Sequence, residues 1–294
     1  MRKVNELLPS PGEANRVIFP AIPGLPLWLY QPRKVRNMRR VLVAVHGISR
    51  DVKEQLDCYR PLADEMGCWL IVPTFSAEKF PRYQQLCAGS GQPRADLALN
   101  SFLALWRCMH GQSSLKILLV GYSGGAQFAH RYALHHPQQV AAMALGSAGW
   151  YSFPDDQVKY PRGIARTVAL DRVCLDEMLR IPILVTVGDQ DNLRDSSLRT
   201  SVNLDQQQGE NRIQRAIRWV EAIRLLQLKK SYRPVELKML AGQEHNFYNN
   251  MQLGGMAELV LQFLLESERD ANDEEKNLAD GRTDSRYIRV SGEG

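Results

Sequence analysis

Ser123, Asp191 and His245 are the residues of this chain whose types could together cleave a carbonyl compound. A serine hydroxyl is a poor nucleophile at neutral pH, so it needs a base to take its proton. An imidazole in that role needs a carboxylate to fix its tautomer and stabilise its cation. The serine stands in Gly121-Tyr122-Ser123-Gly124-Gly125-Ala126, directly after the apolar run Lys116 to Val120 and directly before a helix-like segment, Gln127 to His136. Strand, sharp turn and helix in that order force the serine at the apex into a strained backbone conformation. They also press strand and helix together, so the positions two before and two after must be nearly free of side chain. Gly121 and Gly125 meet that demand and Ala126 extends it, while Gly124 leaves the amide after the serine open to a developing oxyanion.

The partners stand after other strand-like runs. Gly188-Asp189-Gln190-Asp191-Asn192 follows Pro182 to Val187, and Ala241-Gly242-Gln243-Glu244-His245-Asn246-Phe247 follows Val235 to Leu240. Two aspartates compete for the acid role. Asp189 adjoins the strand glycine, where it can bind the turn backbone; Asp191 lies further round the loop, able to turn back toward the histidine, and is the favoured candidate. His245 sits in a polar loop, whereas His110, His130, His135 and His136 lie on or at the ends of helices. His46-Gly47-Ile48 follows a further strand, Arg40 to Val45, at the point expected to supply the second oxyanion amide. Ile48 N–H and Gly124 N–H are therefore the candidate donors, with His46 bracing the loop.

Positioning these groups requires alternating elements. Arg16 to Phe19 and Leu25 to Tyr30 are short strand-like runs broken by prolines; Arg40 to Val45 and Cys68 to Pro73 are buried-type strands flanking a helix from Glu54 to Met66. Ala95 to His110 is amphipathic. The serine strand follows, then Ala141 to Leu145, Pro182 to Val187 and Val235 to Leu240, with helices over Ile213 to Leu228 and Met256 to Leu265. Continuous apolar strands separated by helices imply a mostly parallel, eight-stranded α/β sheet with helices on both faces, and ligands gather beyond the carboxyl ends of such strands.

Residues 147–166 are too polar and proline-marked for a long helix, so the cover over the site is small or absent. Within it, Trp150, Tyr151 and Phe153 either line an acyl or aromatic pocket or anchor the loop on the core. Arg50, beside the oxyanion loop, either holds a substrate carboxylate or phosphate or is an ordinary surface arginine.

Composition narrows the class. An apolar fraction of 44% and a charged fraction of 23% fit a globular protein with a substantial core, and the expectation is one domain over residues 1–267 with an acidic, flexible tail over 268–294. Tyr287 to Val290 could pair as a small strand. No run approaches the about 18 apolar residues of a membrane span, and Met1-Arg2-Lys3 leads into no signal-peptide core, so the expected compartment is the cytoplasm. Cys58, Cys68, Cys87, Cys108 and Cys174 lack CxxC or metal-type spacing and read as reduced structural thiols. Arg33, Lys34, Arg36, Arg39 and Arg40 form a basic cluster without interleaved aromatics. It reads as a solvated hairpin loop and not as a nucleic-acid surface.

From Arg16 to Leu265 the chain resembles the α/β-hydrolase superfamily, on Gly121-Tyr122-Ser123-Gly124-Gly125, His46-Gly47, Asp191 and His245. Gly-Tyr-Ser-Gly-Gly-Ala followed by Arg131-Tyr132-Ala133 and His136-Pro137 is also similar to the esterase branch containing polyhydroxybutyrate-depolymerase-like and feruloyl-esterase-like enzymes. A His-Gly-Gly-Gly run of the hormone-sensitive-lipase type is missing. The resemblance implies a serine hydrolase working through an acyl-enzyme, without metal or organic cofactor, on a small-molecule ester. Thioesters, amides, peptides or acyl transfer to another acceptor would use the same residues, and a fold retained for binding alone is the alternative from a different class. No nucleic-acid or membrane partner is expected, and the sequence leaves the oligomeric state open.

Overall fold

The computed structural model describes residues 7–37, 39–87, 89, 91–166, 173–230 and 232–279. Its strands are β1 (Ala14–Val17), β2 (Leu27–Tyr30), β3 (Arg40–Val45), β4 (Trp69–Pro73), β5 (Lys116–Tyr122), β6 (Val140–Gly146), β7 (Ile183–Gly188) and β8 (Glu236–Leu240). They form one sheet in the order β1-β2-β4-β3-β5-β6-β7-β8. β1, β2 and β4 pair antiparallel, and every pairing from β4 through β3 to β8 is parallel. The helices are α1 (Val52–Met66), α2 (Ala95–His110), α3 (Gly124–His135), α4 (Leu175–Met178), α5 (Val202–Gln208), α6 (Arg212–Lys229), α7 (Phe247–Gln252) and α8 (Met256–Ala279).

The near-continuous apolar runs have a direct structural cause. Along β3, Val41, Val43 and Val45 belong to one buried cluster with Phe102, Trp106, Phe128 and Trp219 from α2, α3 and α6. Leu42 and Ala44, alternating with them, belong to a second cluster with Leu56, Tyr59, Val260 and Phe263 from α1 and α8. Successive strand residues point to opposite faces, so a strand covered on both sides must be apolar at every position. β8 departs from this rule, with Lys238 and Met239 exposed, because it is the edge of the sheet.

Several elements differ from the sequence reading. α3 begins at Gly124, three residues before the expected start, since the serine turn passes straight into it. The basic residues do not sit in a hairpin joining β2 to β3, because both strands pair with β4 and not with each other. Arg33 pairs with Asp64 and the Arg36 guanidinium donates to the Glu65 carbonyl. α8 runs on through residue 279, with Arg233 bonded to Asp270 and Arg40 near Glu268, so residues 268–279 are helical. The charged composition hides a helix whose apolar stripe ends before its backbone does. The strand expected at Tyr287 to Val290 lies outside the described residues. All five cysteines are free thiols, four of them buried. Among the described residues no helix is long and apolar enough to cross a membrane.

Candidate active site

β5 delivers Ser123 to the carboxyl end of the sheet with φ 53° and ψ −113°, a conformation that non-glycine residues rarely adopt. The turn is fixed on both sides: Ser123 N–H donates to the Gly146 carbonyl at 2.8 Å, and Gln127 N–H donates to the Ser123 carbonyl at 3.1 Å. The glycine requirement is visible atom by atom. A Cβ on Gly121 would lie 2.3 Å from the Gly125 carbonyl carbon, and one on Gly125 would lie 1.9 Å from the Val45 carbonyl oxygen. Strand β5, helix α3 and strand β3 meet here at backbone contact, and neither position accepts a side chain.

The loops after β7 and β8 are joined backbone to backbone. Asp189 N–H donates to Leu240 and Gln190 N–H to Gln243, and a Cβ on Gly188 would come 2.1 Å from the Gln243 carbonyl oxygen. Asp189 Oδ1 accepts from Gly242 N–H at 2.8 Å, so its carboxylate holds the turn. Asp191, buried, faces the other way: its Oδ2 lies 2.8 Å from His245 Nδ1, and His245 Nε2 lies 3.1 Å from Ser123 Oγ. A carboxylate beside Nδ1 calls for the tautomer with the proton there. That leaves Nε2 free to accept from the serine. Asn246 caps α7 by accepting from Asn249 N–H, and Phe247 packs against Tyr59 and Tyr122, which seats the histidine loop. The Tyr122 ring stacks on the imidazole with centroids 5.2 Å apart.

Behind Asp191 stands a residue that no sequence motif marks. Arg212, at the start of α6 and buried, reaches Asp191 Oδ1 at 3.3 Å and Asp195 at 3.2 Å, and also bonds Ser197. Burial by itself raises the Asp195 carboxyl, but its hydrogen bonds to Arg212 and Ser197 outweigh that and hold it below the usual carboxylate range. No local pattern announces this arginine, because it is brought to the site by the packing of α6. Tyr122 was visible, as the residue before the serine, but its stacking role was not.

The β3 loop lies against the first turn of α3. A Cβ on Gly124 would be 3.1 Å from Ile48 N and 2.7 Å from Ile48 Cγ2, so the two candidate amides are neighbours across the turn. Phe75 N–H donates to His46 Nε2 at 3.1 Å, which puts the ring proton on Nδ1 next to the Gly47 carbonyl at 2.9 Å. Burial lowers the His46 pKa to about 4, so it is a neutral brace at physiological pH. Tyr83 Oη donates to the His46 carbonyl at 2.6 Å. Arg50, at φ 59°, directs its guanidinium to the backbone carbonyls of Ile48, Phe75, Phe80 and Pro81. Its donors are thus engaged in tying the loop after β3 to the segment after β4.

The aromatic candidates separate. Tyr151 is fully buried, stacked on Trp219 at 4.7 Å and bonded through its backbone to Gln208, so it anchors the loop on the core. Phe153 is half-buried against the same core. Trp150 is nearly buried and lies among cations, with the guanidinium carbons of Arg131 and Arg199 at 4.2 and 5.2 Å from its ring centroid. No helix forms in residues 147–166; α5, in the β7–α6 connection, is tied to this stretch through Gln208 and the Tyr151 backbone.

No protein-family model matches the chain, and no curated protein matches it by sequence. Solved structures do match it. A poly(aspartic acid) hydrolase from Sphingomonas sp. KT-1 superposes with a TM-score of 0.72 at 22% identity, over 86% of this chain and 98% of its own. A poly(3-hydroxybutyrate) depolymerase from Bordetella parapertussis gives 0.67 at 22% identity, over 85% and 93%. An esterase from Pyrobaculum calidifontis gives 0.55 at 17% identity, over 89% and 86%. Identities this low speak for the backbone arrangement, and together with the sheet order and the serine turn they give the chain the α/β-hydrolase fold.

Proposed function

We propose that the protein is a serine hydrolase cleaving small to medium carboxylic esters through an acyl-serine intermediate. The observation that carries this reading is the continuous hydrogen-bond relay from Ser123 Oγ through His245 to Asp191, at 3.1 and 2.8 Å. Ser123 Oγ attacks the ester carbonyl as its proton passes to His245 Nε2. Asp191 accepts from Nδ1–H throughout and stabilises the imidazolium, itself steadied by Arg212. The Ile48 and Gly124 amides receive the negative charge that forms on the carbonyl oxygen. The tetrahedral intermediate collapses by breaking the C–O bond, and the leaving alcohol takes its proton from His245. Water, deprotonated by the same imidazole, then attacks the acyl-enzyme and frees Ser123.

The names attached to the similar structures do not narrow the bond, since poly(aspartic acid) is held by amides and poly(3-hydroxybutyrate) by esters. Thioester or amide hydrolysis and acyl transfer use the same groups. The partial exposure of the His245 side chain, at 20%, and the short cover favour a substrate that reaches the serine from solvent without opening a large lid. A panel of p-nitrophenyl esters from acetate to decanoate tests the reading. Turnover of the shorter members is expected, falling by about 10³ or more in Ser123→Ala. Equal rates for the variant, or no turnover of any ester by folded protein, overturn it.

A further inference from the structure

Three arginines among the described residues have lost essentially all contact with solvent: Arg131, Arg212 and Arg215. Two of them are matched by carboxylates, Arg212 by Asp191 and Asp195, and Arg215 by Asp205. Arg131 has no such partner among the described residues. Its Nε donates to Ser152 Oγ at 3.0 Å, and its Nη1 donates to the Gln84 carbonyl at 2.5 Å and to Gln127 Oε1 at 3.3 Å. Its Nη2 is buried with no hydrogen-bond partner. The side chain remains a cation at neutral pH even though burial lowers its pKa to about 10. A second cation, exposed Arg199, rests on the same Trp150 ring, again without a carboxylate among the described residues. Enclosed charge without a counter-ion is disfavoured until an anion completes it.

The buried charge of Arg131 sits on α3, the helix that begins at the nucleophile. Gln127 is one helical turn from Ser123, about 6 Å along the axis of α3. Arg131, a turn further on, leans back toward the helix start and bonds the Gln127 side chain. A Cβ on Gly149 would lie 3.0 Å from Gln127 Nε2, which places the backbone leading into Trp150 alongside. Arg215 Nη1 donates to the carbonyls of both Gly149 and Arg199, at 2.7 and 2.9 Å, fixing the loop that carries Arg199 against the loop that carries Trp150. Three acids of the β7–α6 connection are already paired: Asp191 and Asp195 with Arg212, and Asp205 with Arg194 and Arg215.

We propose, building on the serine-hydrolase reading, that the substrate carries a carboxylate that reaches the exposed Arg199 beside Trp150. Arg199 makes the contact, and Arg131 supplies fixed positive charge from beneath the surface.

The test compares two esters of equal chain length, p-nitrophenyl hydrogen glutarate and p-nitrophenyl pentanoate, which differ in a terminal carboxylate. The wild type is expected to favour the glutarate at least tenfold in kcat/KM at low ionic strength, and less so in 0.5 M salt. Arg199→Lys retains most of the preference, Arg199→Gln removes it through KM for the glutarate, and Arg199→Glu inverts it. A structural role for Arg199 would move both esters together. Fluorophosphonate labelling of Ser123 in the same preparations reports on the nucleophile alone, so unlabelled folded protein counts against the serine-hydrolase reading. Labelled protein that shows no glutarate preference, keeps the preference in Arg199→Glu, or cleaves neither ester overturns the charge proposal.

Discussion

Replacing Gly124 by alanine adds one methyl group, and its effect should fall on catalysis and not on folding. The new Cβ would lie 2.7 Å from Ile48 Cγ2, 2.8 Å from Tyr83 Oη and 3.1 Å from Ile48 N. The Ile48 side chain is β-branched and stiff, and the Tyr83 hydroxyl is bonded to the His46 carbonyl, so the least costly relief moves the Ile48 amide away from Gly124. Alanine itself favours a helix by up to ~1 kcal/mol over glycine, which offsets part of the contact. Removing one oxyanion donor costs about 2.7 to 4 kcal/mol of transition-state stabilisation, corresponding to a fall of roughly 10² to 10³ in kcat. The assay is kcat on a short-chain nitrophenyl ester beside a thermal melt of the same sample. The neighbouring residue is the control. A Cβ on Gly125 would lie 1.9 Å from the Val45 carbonyl oxygen and 2.9 Å from that of His46, backbone that cannot yield without parting α3 from β3. Gly125→Ala should therefore lose folded protein, at a cost above ~4 kcal/mol. A folded Gly124→Ala with kcat within threefold of wild type refutes the assignment of the Gly124 and Ile48 amides.

The two aspartates of the β7 loop should separate by kinetics: Asp191→Asn is expected to lower kcat by about 10⁴, since an amide beside Nδ1 favours the wrong imidazole tautomer, while Asp189→Asn stays within about threefold. Comparable losses from both would contradict the geometry. Stability should fall as pH drops from 6.5 toward 4, because His46 is held neutral in the folded chain with its pKa lowered from 6.5 to about 4, and the unfolded chain binds the proton first. That window removes about 3 kcal/mol for His46, and buried His130, also lowered, acts with the same sign. Urea unfolding at pH 7.5 and 4.5 checks this, and equal stabilities would be inconsistent with neutral burial.

Much of this was legible because it depends on neighbours in the chain. The two-sided apolar strands report their own burial, and the spacing of Gly121, Ser123 and Gly125 encodes a turn whose tolerance is set by a few backbone atoms. The positions after β7 and β8 could be read because parallel strands gather their ends on one side of the sheet. What stayed hidden depends on distant packing. Arg212 reaches Asp191 across 21 positions, and Arg215 reaches the Gly149 carbonyl across 66. α7 has only six residues and owes its existence to the Asn246 cap and the burial of Phe247. The same limit explains Tyr151 and Arg50: residue type suggested a pocket for each, while the neighbours that engage them, Trp219 and the carbonyls after β4, come from elsewhere in the chain.

The central claim is that Ser123 is an activated nucleophile, and covalent labelling by a fluorophosphonate tests it without knowledge of the substrate. The expected result is one phosphonyl group per folded chain, mapped to the Ser123 peptide, abolished by Ser123→Ala and strongly slowed by His245→Ala. Folded protein that takes up no label, or label that persists in Ser123→Ala, would contradict it.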